Sequence, residues 1–141
     1  MFYEVASRRV VIDKKGNDKS VTENFIVSNA ALFSEAETAV YLKFSMENDV
    51  VAVRRSSITD VINEADCGED IYLATLEEVV IDEMGKERKN STVVAVYANS
   101  VEEANLAAKD YIRVFTNDTF IVGVKKSKFI EVLEYLGDVG K

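Results

Sequence analysis

Histidine is absent from this chain of 141 residues, and only one cysteine, Cys67, occurs. The lack of histidine removes the commonest general base, the commonest metal ligand and every Ser-His-Asp or Cys-His catalytic arrangement. A single cysteine cannot form an internal disulfide, which suits a reducing compartment, and the acidic residues around it disfavour a reactive thiolate. The composition therefore argues against most hydrolase mechanisms and against thiol chemistry.

Glycine-rich nucleotide motifs and long apolar runs are also missing. No Gly-x-Gly-x-x-Gly or Gly-x-x-x-x-Gly-Lys run occurs, so the familiar phosphate-binding loops are excluded. Apolar runs such as 50–53 and 93–96 fall far short of the roughly 18 residues that a membrane-spanning helix needs. The acidic segment 63–70 lacks the ligand spacing of a calcium loop. We therefore predict a non-enzymatic protein with no membrane span, no metal and no cofactor.

Acidic residues outnumber basic ones by 25 to 17, which gives a formal charge of -8. This charge opposes indiscriminate attraction to phosphate or anionic lipid, so any anion site must be a local patch. The first residues place their bases after a short apolar stretch, the reverse of the order in a secretory signal. We therefore expect a cytoplasmic protein.

The strongest pattern in the chain is an internal echo. Residues 53–62 and 124–133 share one pattern, in which a hydrophobic residue, two bases and a serine are followed by an acidic residue between apolar ones. Residues 79–82 are identical to residues 10–13. Such self-similarity indicates one structural unit used twice. The sequence therefore predicts a first repeat at 1–62, an acidic linker at 63–70 and a second repeat at 71–141.

Each repeat has the pattern strand, hairpin, strand, helix, strand. In the first repeat, Asp13 and Gly16 have the chemistry of a hairpin turn, and Ser34 with Glu37 forms a capping box. Ser100 and Glu103 form a second capping box. The predicted strands are 2–12, about 22–27, 49–58, 92–97 and 120–126, the helices are 34–46 and 101–115, and 128–136 is either a strand or a helix.

The fold class that follows is α+β, an internal duplication of a β-β-α-β unit with one helix per repeat and mixed or antiparallel sheets. If the third strand joins beside the first, the strand order is 2-1-3. We expect the repeats to be related by a pseudo-twofold axis, either sharing one sheet or packing face to face.

The segments Val21–Val27, Ser34–Glu37 and Ile58–Val61, set in this duplicated pattern, resemble an uncharacterised domain-of-unknown-function family of gut Bacteroidetes and their crAss-like tailed phages. The resemblance carries no assigned activity. It implies a setting among genes of DNA replication and nucleotide metabolism, with a location in the host cell cytoplasm if a phage encodes the protein.

Basic residues form the remaining candidate site. Arg54-Arg55 and Lys125-Lys126 occupy matching positions, and a pseudo-twofold axis would arrange them as a clamp on a phosphate backbone. Tyr3 and Tyr72 either stack on nucleobases or belong to the core. Such charged pairs also occur simply to keep strand edges soluble. The hairpin tips add Lys14, Lys15, Lys19, Lys86, Arg88 and Lys89.

The leading hypothesis is a binding protein, phage-associated and accessory to DNA metabolism, that takes single-stranded nucleic acid. The alternative is a protein-interaction module, such as a phage-encoded inhibitor or assembly factor, that uses strand edges or helix faces. Self-association through the same edges is a third reading. Leu32-Phe33 and Tyr135-Leu136-Gly137 are candidates for an exposed apolar patch, although we expect them to pack inward beside caps and termini.

Overall fold

The computed structural model describes residues 1–44, 49–63, 68 and 70–137. Cys67, the linker acids at 64, 66 and 69, and the predicted helix end at Met46 lie outside these residues. The fold is α+β, with eight strands and two helices in the described ranges. In chain order they are β1 (Tyr3–Ile12), β2 (Asp18–Ser28), α1 (Phe33–Phe44), β3 (Asp49–Arg55), β4 (Ile58–Ile62), β5 (Asp70–Ile81), β6 (Glu87–Ala98), α2 (Val101–Ile112), β7 (Thr119–Lys126) and β8 (Phe129–Glu134).

The strands form two mixed four-stranded sheets. The first has the order β3-β1-β2-β8, and the second has the order β4-β6-β5-β7. In each sheet the long hairpin and the strand after the helix pair antiparallel, and the outermost strand beside β2 or β6 pairs parallel. The predicted 2-1-3 order is confirmed in both sheets.

Both hairpins turn with the predicted chemistry. The Asp13 carboxylate accepts hydrogen bonds from the backbone N–H groups of Lys15 and Asn17, both at 2.9 Å. Gly16 follows with a φ of +81°, in the left-handed region that glycine adopts without strain. Asp82 and Gly85 repeat this arrangement in the second hairpin.

The predicted third strand, 49–58, is wrong in its extent because two strands of different sheets occupy it. β3 ends at Arg55, the Ser56 N–H donates to the Phe2 carbonyl at 2.9 Å, and β4 begins at Ile58 beside β6. Residues 129–134 form β8, which decides the open choice between strand and helix at 128–136 in favour of a strand. The first half of the sequence therefore contains one strand more than predicted, and the second half takes the strand alternative.

The chain divides into two compact units. Unit 1 comprises Met1–Ser56 and Lys128–Lys141, and unit 2 comprises Ser57–Ser127. Unit 1 thus holds β1, β2, α1, β3 and β8, and unit 2 holds β5, β6, α2, β7 and β4. Each compact unit includes one strand from the other half of the sequence, so its bounds differ from the contiguous segments 1–62 and 71–141.

In each unit the helix packs on one face of the sheet. The core of unit 1 joins Tyr3, Phe25 and Leu133 of the sheet to Ala36 and Val40 of α1. Small residues on the helix let it approach the larger side chains of the strands, in the helical spacing that the sequence predicts. In unit 2, Ala104 and Ala108 of α2 pack on Tyr72, Leu76, Val94 and Val96. Among the described residues, no helix has the length and apolar character needed to cross a bilayer.

The helix caps follow the prediction in α2 but not in α1. Ser100 accepts a hydrogen bond from the Glu103 N–H at 3.2 Å, and the Glu103 carboxylate accepts one from Asn99. The predicted Ser34 cap is wrong because α1 begins at Phe33, which places Ser34 inside the first turn. The Glu35 carboxylate accepts instead from the N–H groups of Ala31 and Leu32, so it satisfies donors that the helix leaves open.

Candidate functional site

The two tyrosines considered as stacking platforms are core residues. Tyr3 is 1% exposed, and its hydroxyl donates to the Ala31 carbonyl at 3.0 Å. Tyr72 is 5% exposed and belongs to the core of unit 2. Neither ring can stack on a nucleobase without leaving the core, so the core reading is confirmed and the stacking role is wrong.

The predicted basic residues do not form one patch within either unit. Arg54 pairs across the sheet with Glu4, near the start of β1, whereas Lys14 and Lys15 lie in the turn beyond its end at Ile12. A rise of about 3.4 Å per residue separates these two ends by roughly 25–30 Å. In unit 2, Lys125 and Lys126 lie opposite the start of β5, and Lys86 and Arg88 lie at its far end.

Several of these bases are paired with acids. Arg54 contacts Glu4 at 2.7 Å, Arg88 contacts Asp82 at 3.5 Å, and Lys126 contacts Asp70 at 3.6 Å. Within the described ranges, Arg55, Lys125, Lys14, Lys15 and Lys86 make no ion pair. Lys89 also contacts Glu77, at 3.6 Å. Four of the ten predicted bases are therefore paired, and the other six, which include Lys19, make no ion pair with a described residue.

Four large apolar side chains in or beside α1 and after β8 are exposed in unit 1. Leu42 is 73% exposed, Leu136 is 65%, Leu32 is 60% and Phe33 is 52%. The expectation that Leu32, Phe33 and Leu136 pack inward is therefore wrong. The Phe33 ring makes an edge contact with Tyr3, but this contact covers only one side of the Phe33 ring. Of these four, Leu42 and Leu136 line the same groove, and exposed apolar side chains gathered in one place mark interaction sites.

A groove of about 380 Å³ lies between α1 and β8, and we call it the α1–β8 groove. Ala39 and Leu42 form the helix side, and β8 with the residues after it forms the other. The position of Tyr135 is fixed because its N–H donates to the Ser28 carbonyl and its carbonyl accepts from the Asn29 side chain, both at 3.0 Å. The full lining is Ala39, Leu42, Lys43, Glu131, Val132, Leu133, Glu134, Tyr135 and Leu136.

In unit 2 the side chain of Tyr111 crosses the matching space between α2 and β4. When the two sheets are aligned by their strand pairing, Glu131 takes the position of Asp60. When the two helices are aligned by their buried alanines and capping glutamates, Lys43 takes the position of Tyr111. The Tyr111 hydroxyl donates to the Asp60 carboxylate at 3.0 Å, and its ring packs against the core. Asp110 occupies the position in α2 that matches Leu42, so the exposed leucine beside the groove has no counterpart in unit 2.

Charged side chains border the groove on both sides. Lys43 lies on α1, and Glu131 and Glu134 lie on β8. No ion pair joins Lys43 to a described residue, so Lys43 does not bridge the groove. The acidic side of the groove would favour a basic group on whatever enters it.

No cluster of three or more histidine, cysteine or acidic side chains that could hold a metal occurs in the part of the chain that the structure describes. The acidic segment considered in the sequence lies mostly outside that part. The described surface therefore offers an apolar groove and separate polar sites as its candidate binding features.

Sequence reasoning missed Leu42, Lys43, Glu131 and Val132 as site residues. Leu42 could have been noticed, because it is a large apolar residue off the buried stripe that Ala36, Ala39 and Val40 define. The role of Glu131 had no signal, since its position depends on the pairing of β8 with β2.

The Tyr111–Asp60 pair predicts a particular loss of stability in alkaline solution. Burial first, and then the hydrogen bond and the negative charge of Asp60, raise the pKa of Tyr111 above 10.0. Its contribution is therefore fully present below pH 10 and is lost as the pH rises towards the folded-state pKa. Between pH 9 and 11, the free energy of unfolding in urea should fall more steeply for the wild type than for Tyr111→Phe. Equal slopes would contradict a raised pKa for Tyr111 in the folded protein.

Comparisons with known proteins identify a family without an assigned activity. No curated protein and no solved structure matches the chain. The family described as Domain of unknown function (DUF4494) matches residues 1–135. Since this match spans nearly the whole chain, the protein belongs to the DUF4494 family of domains of unknown function.

Proposed function

We propose that this protein is a non-enzymatic binding protein whose α1–β8 groove accepts a short apolar segment of a partner protein. The observation that carries the proposal is the contrast between the units. In unit 2 the Tyr111 side chain bridges helix and strand, and in unit 1 a groove lies between them and is bordered by an exposed leucine. Because a side chain bridges the helix and the strand at the matching place in unit 2, the opening in unit 1 is not a requirement of the fold.

The size and charge of the groove favour one kind of occupant. A volume of about 380 Å³ lies at the low end of ligand pockets, which run from about 300 to 1,000 Å³. It suits a few bulky side chains of a peptide segment rather than the surface of a folded domain. Glu131 and Glu134 favour a lysine or arginine beside those side chains. The proposed occupant is therefore a short segment with large apolar residues next to a base.

Substitution of Leu42 by aspartate tests this site. Asp110 occupies the matching position of α2, so the helix should tolerate the change, but the groove loses its exposed apolar wall. Peptides selected from a random library on the wild type should carry bulky apolar residues beside a base. They should bind Leu42→Asp at least about tenfold more weakly in calorimetry. Leu106→Asp, which alters an exposed leucine on α2, is the matched control and should bind as the wild type does.

Charge recognition is measured with the same peptides. Glu134→Gln should weaken their binding by about two- to fivefold, as expected for one exposed ion pair. The proposal fails if no peptide is enriched, or if the selected peptides bind Leu42→Asp and the wild type alike. A concentration-dependent dimer that Leu42→Asp abolishes would instead identify the occupant as a second copy of this chain.

Single-stranded DNA binding stays a prediction, supported by the exposed cations Arg55 and Lys125. The acidic net charge and the buried tyrosines weigh against it, because single-strand binders combine basic tracks with exposed aromatic rings. Neutralising Arg54, Arg55, Lys125 and Lys126 together should abolish oligonucleotide binding and its salt dependence if the hypothesis holds. Fluorescence anisotropy measures this, and an unchanged affinity would contradict it.

The wider setting is also part of the proposal. The common strand order and turn chemistry of the two units support an origin by duplication of a β-β-α-β sequence. The proposed origin in gut Bacteroidetes or their phages is supported by the sequence resemblance, and the proposed cytoplasmic location by the order of residues at the start of the chain and its single cysteine. In that setting an inhibitor or assembly factor is a suitable role for a small protein with one peptide-binding groove.

A further inference from the structure

A second depression, of about 200 Å³, lies on the face of the first sheet opposite α1 and is bordered by four polar or charged side chains. Its floor is formed by the small residues Ala6 and Ala52, which pair with each other across β1 and β3. Asn24 lies next to Ala6 on β2. Arg54 lies on β3 and Lys128 lies just before β8, and these are the two edge strands of the sheet. Their long side chains can therefore reach the space above the floor from both edges.

Glu4 holds the Arg54 guanidinium in place. One carboxylate oxygen accepts from Arg54 Nε at 3.0 Å and from Nη2 at 2.7 Å, and the other accepts from the Ser56 hydroxyl at 2.9 Å. Both oxygens of Glu4 are thus engaged with donors. Arg54 keeps its Nη1 donors for a further acceptor, because the pair with Glu4 uses only Nε and Nη2.

Lys128 and Asn24 supply further donors. Lys128 makes no ion pair in the described ranges, and its ammonium lies 5.9 Å from the ring centre of Phe129. The Asn24 side-chain amide has no hydrogen-bond partner among the residues that the structure describes. With two cations and one carboxylate, the depression has a net positive charge in a protein whose total charge is -8.

The matching positions of unit 2 lack this chemistry. The registers match Glu4 with Leu73, Asn24 with Val93 and Lys128 with Ser57, while Arg54 is matched by Lys125. A sheet of this kind therefore folds with apolar residues at two of these positions. The polar set of unit 1 is not a structural requirement.

We infer that this depression binds the terminal phosphate group of a small phosphate monoester or free phosphate. Three donor groups from three different segments face one concave space, and guanidinium and ammonium groups together suit a doubly charged oxyanion. A nucleic-acid backbone offers singly charged diesters and requires a continuous basic track. The separation of the other basic residues in unit 1 favours the small ligand.

Phosphate titrations followed by amide NMR test the site. Orthophosphate and methyl phosphate should shift the amide signals of Ala6, Asn24 and Ala52 in a saturable way. Lys128→Gln should weaken this binding at least about tenfold, as loss of a charge-assisted hydrogen bond does. Lys125→Gln makes the same chemical change at the position that matches Arg54 in unit 2, and it should leave the affinity within about twofold.

A variant that copies unit 2, Asn24→Val with Lys128→Ser, should keep the fold and lose saturable binding. The inference is overturned if the three amides do not respond to phosphate, or if Lys128→Gln and Lys125→Gln both bind as the wild type does. Equal binding of acetate would overturn the preference for phosphate. Shifts caused by an oligonucleotide with internal diesters, but not by methyl phosphate, would assign the site to a nucleic-acid backbone instead.

Discussion

The parallel pairing of β8 with β2, and of β4 with β6, is the constraint on which both units depend. Each hairpin sheet is completed by a strand that the other half of the sequence supplies. In unit 1 this strand adds Leu133 to the core and brings Glu131 and Tyr135 opposite α1. The α1–β8 groove therefore exists only because the last strand of the chain returns to the first sheet.

The two units share the same strand order but differ in the side chains at matching positions. Where Tyr111 and Asp60 close the space beside α2, Lys43 and Glu131 leave it open beside α1. On the opposite face of the sheet, unit 1 has a polar set where unit 2 has Leu73 and Val93. Both candidate sites thus lie where the side chains of unit 1 differ from those at the matching positions of unit 2. Because the fold accepts either set of side chains, those positions are available for binding.

The local features of the fold could be predicted from the sequence, and the exchange of strands could not. Asp13 with Gly16, and Ser100 with Glu103, specify a turn and a cap through bonds to near neighbours, so their patterns were sufficient. The predicted strand 49–58 runs across Ser56, because alternation of apolar residues does not show where a chain leaves one sheet for another. The sequence therefore does not predict the groove, although it offers Leu136, at the exposed end of the groove, as part of a candidate apolar patch. The acidic partners of Arg54 and Lys126 could not be predicted for the same reason, since pairing with Glu4 and Asp70 depends on strand register.

The most direct measurement is made on a protein that carries Lys43→Tyr together with Glu131→Asp, which copies the Tyr111–Asp60 pair into unit 1. If the groove is the open form of the same site, the new tyrosine should fill it and donate to the new aspartate. The double variant should then unfold at a temperature no lower than the wild type and should bind groove-selected peptides at least about tenfold more weakly. Unchanged peptide binding, or a clear loss of thermal stability, would contradict the proposal that this groove is an unfilled binding site.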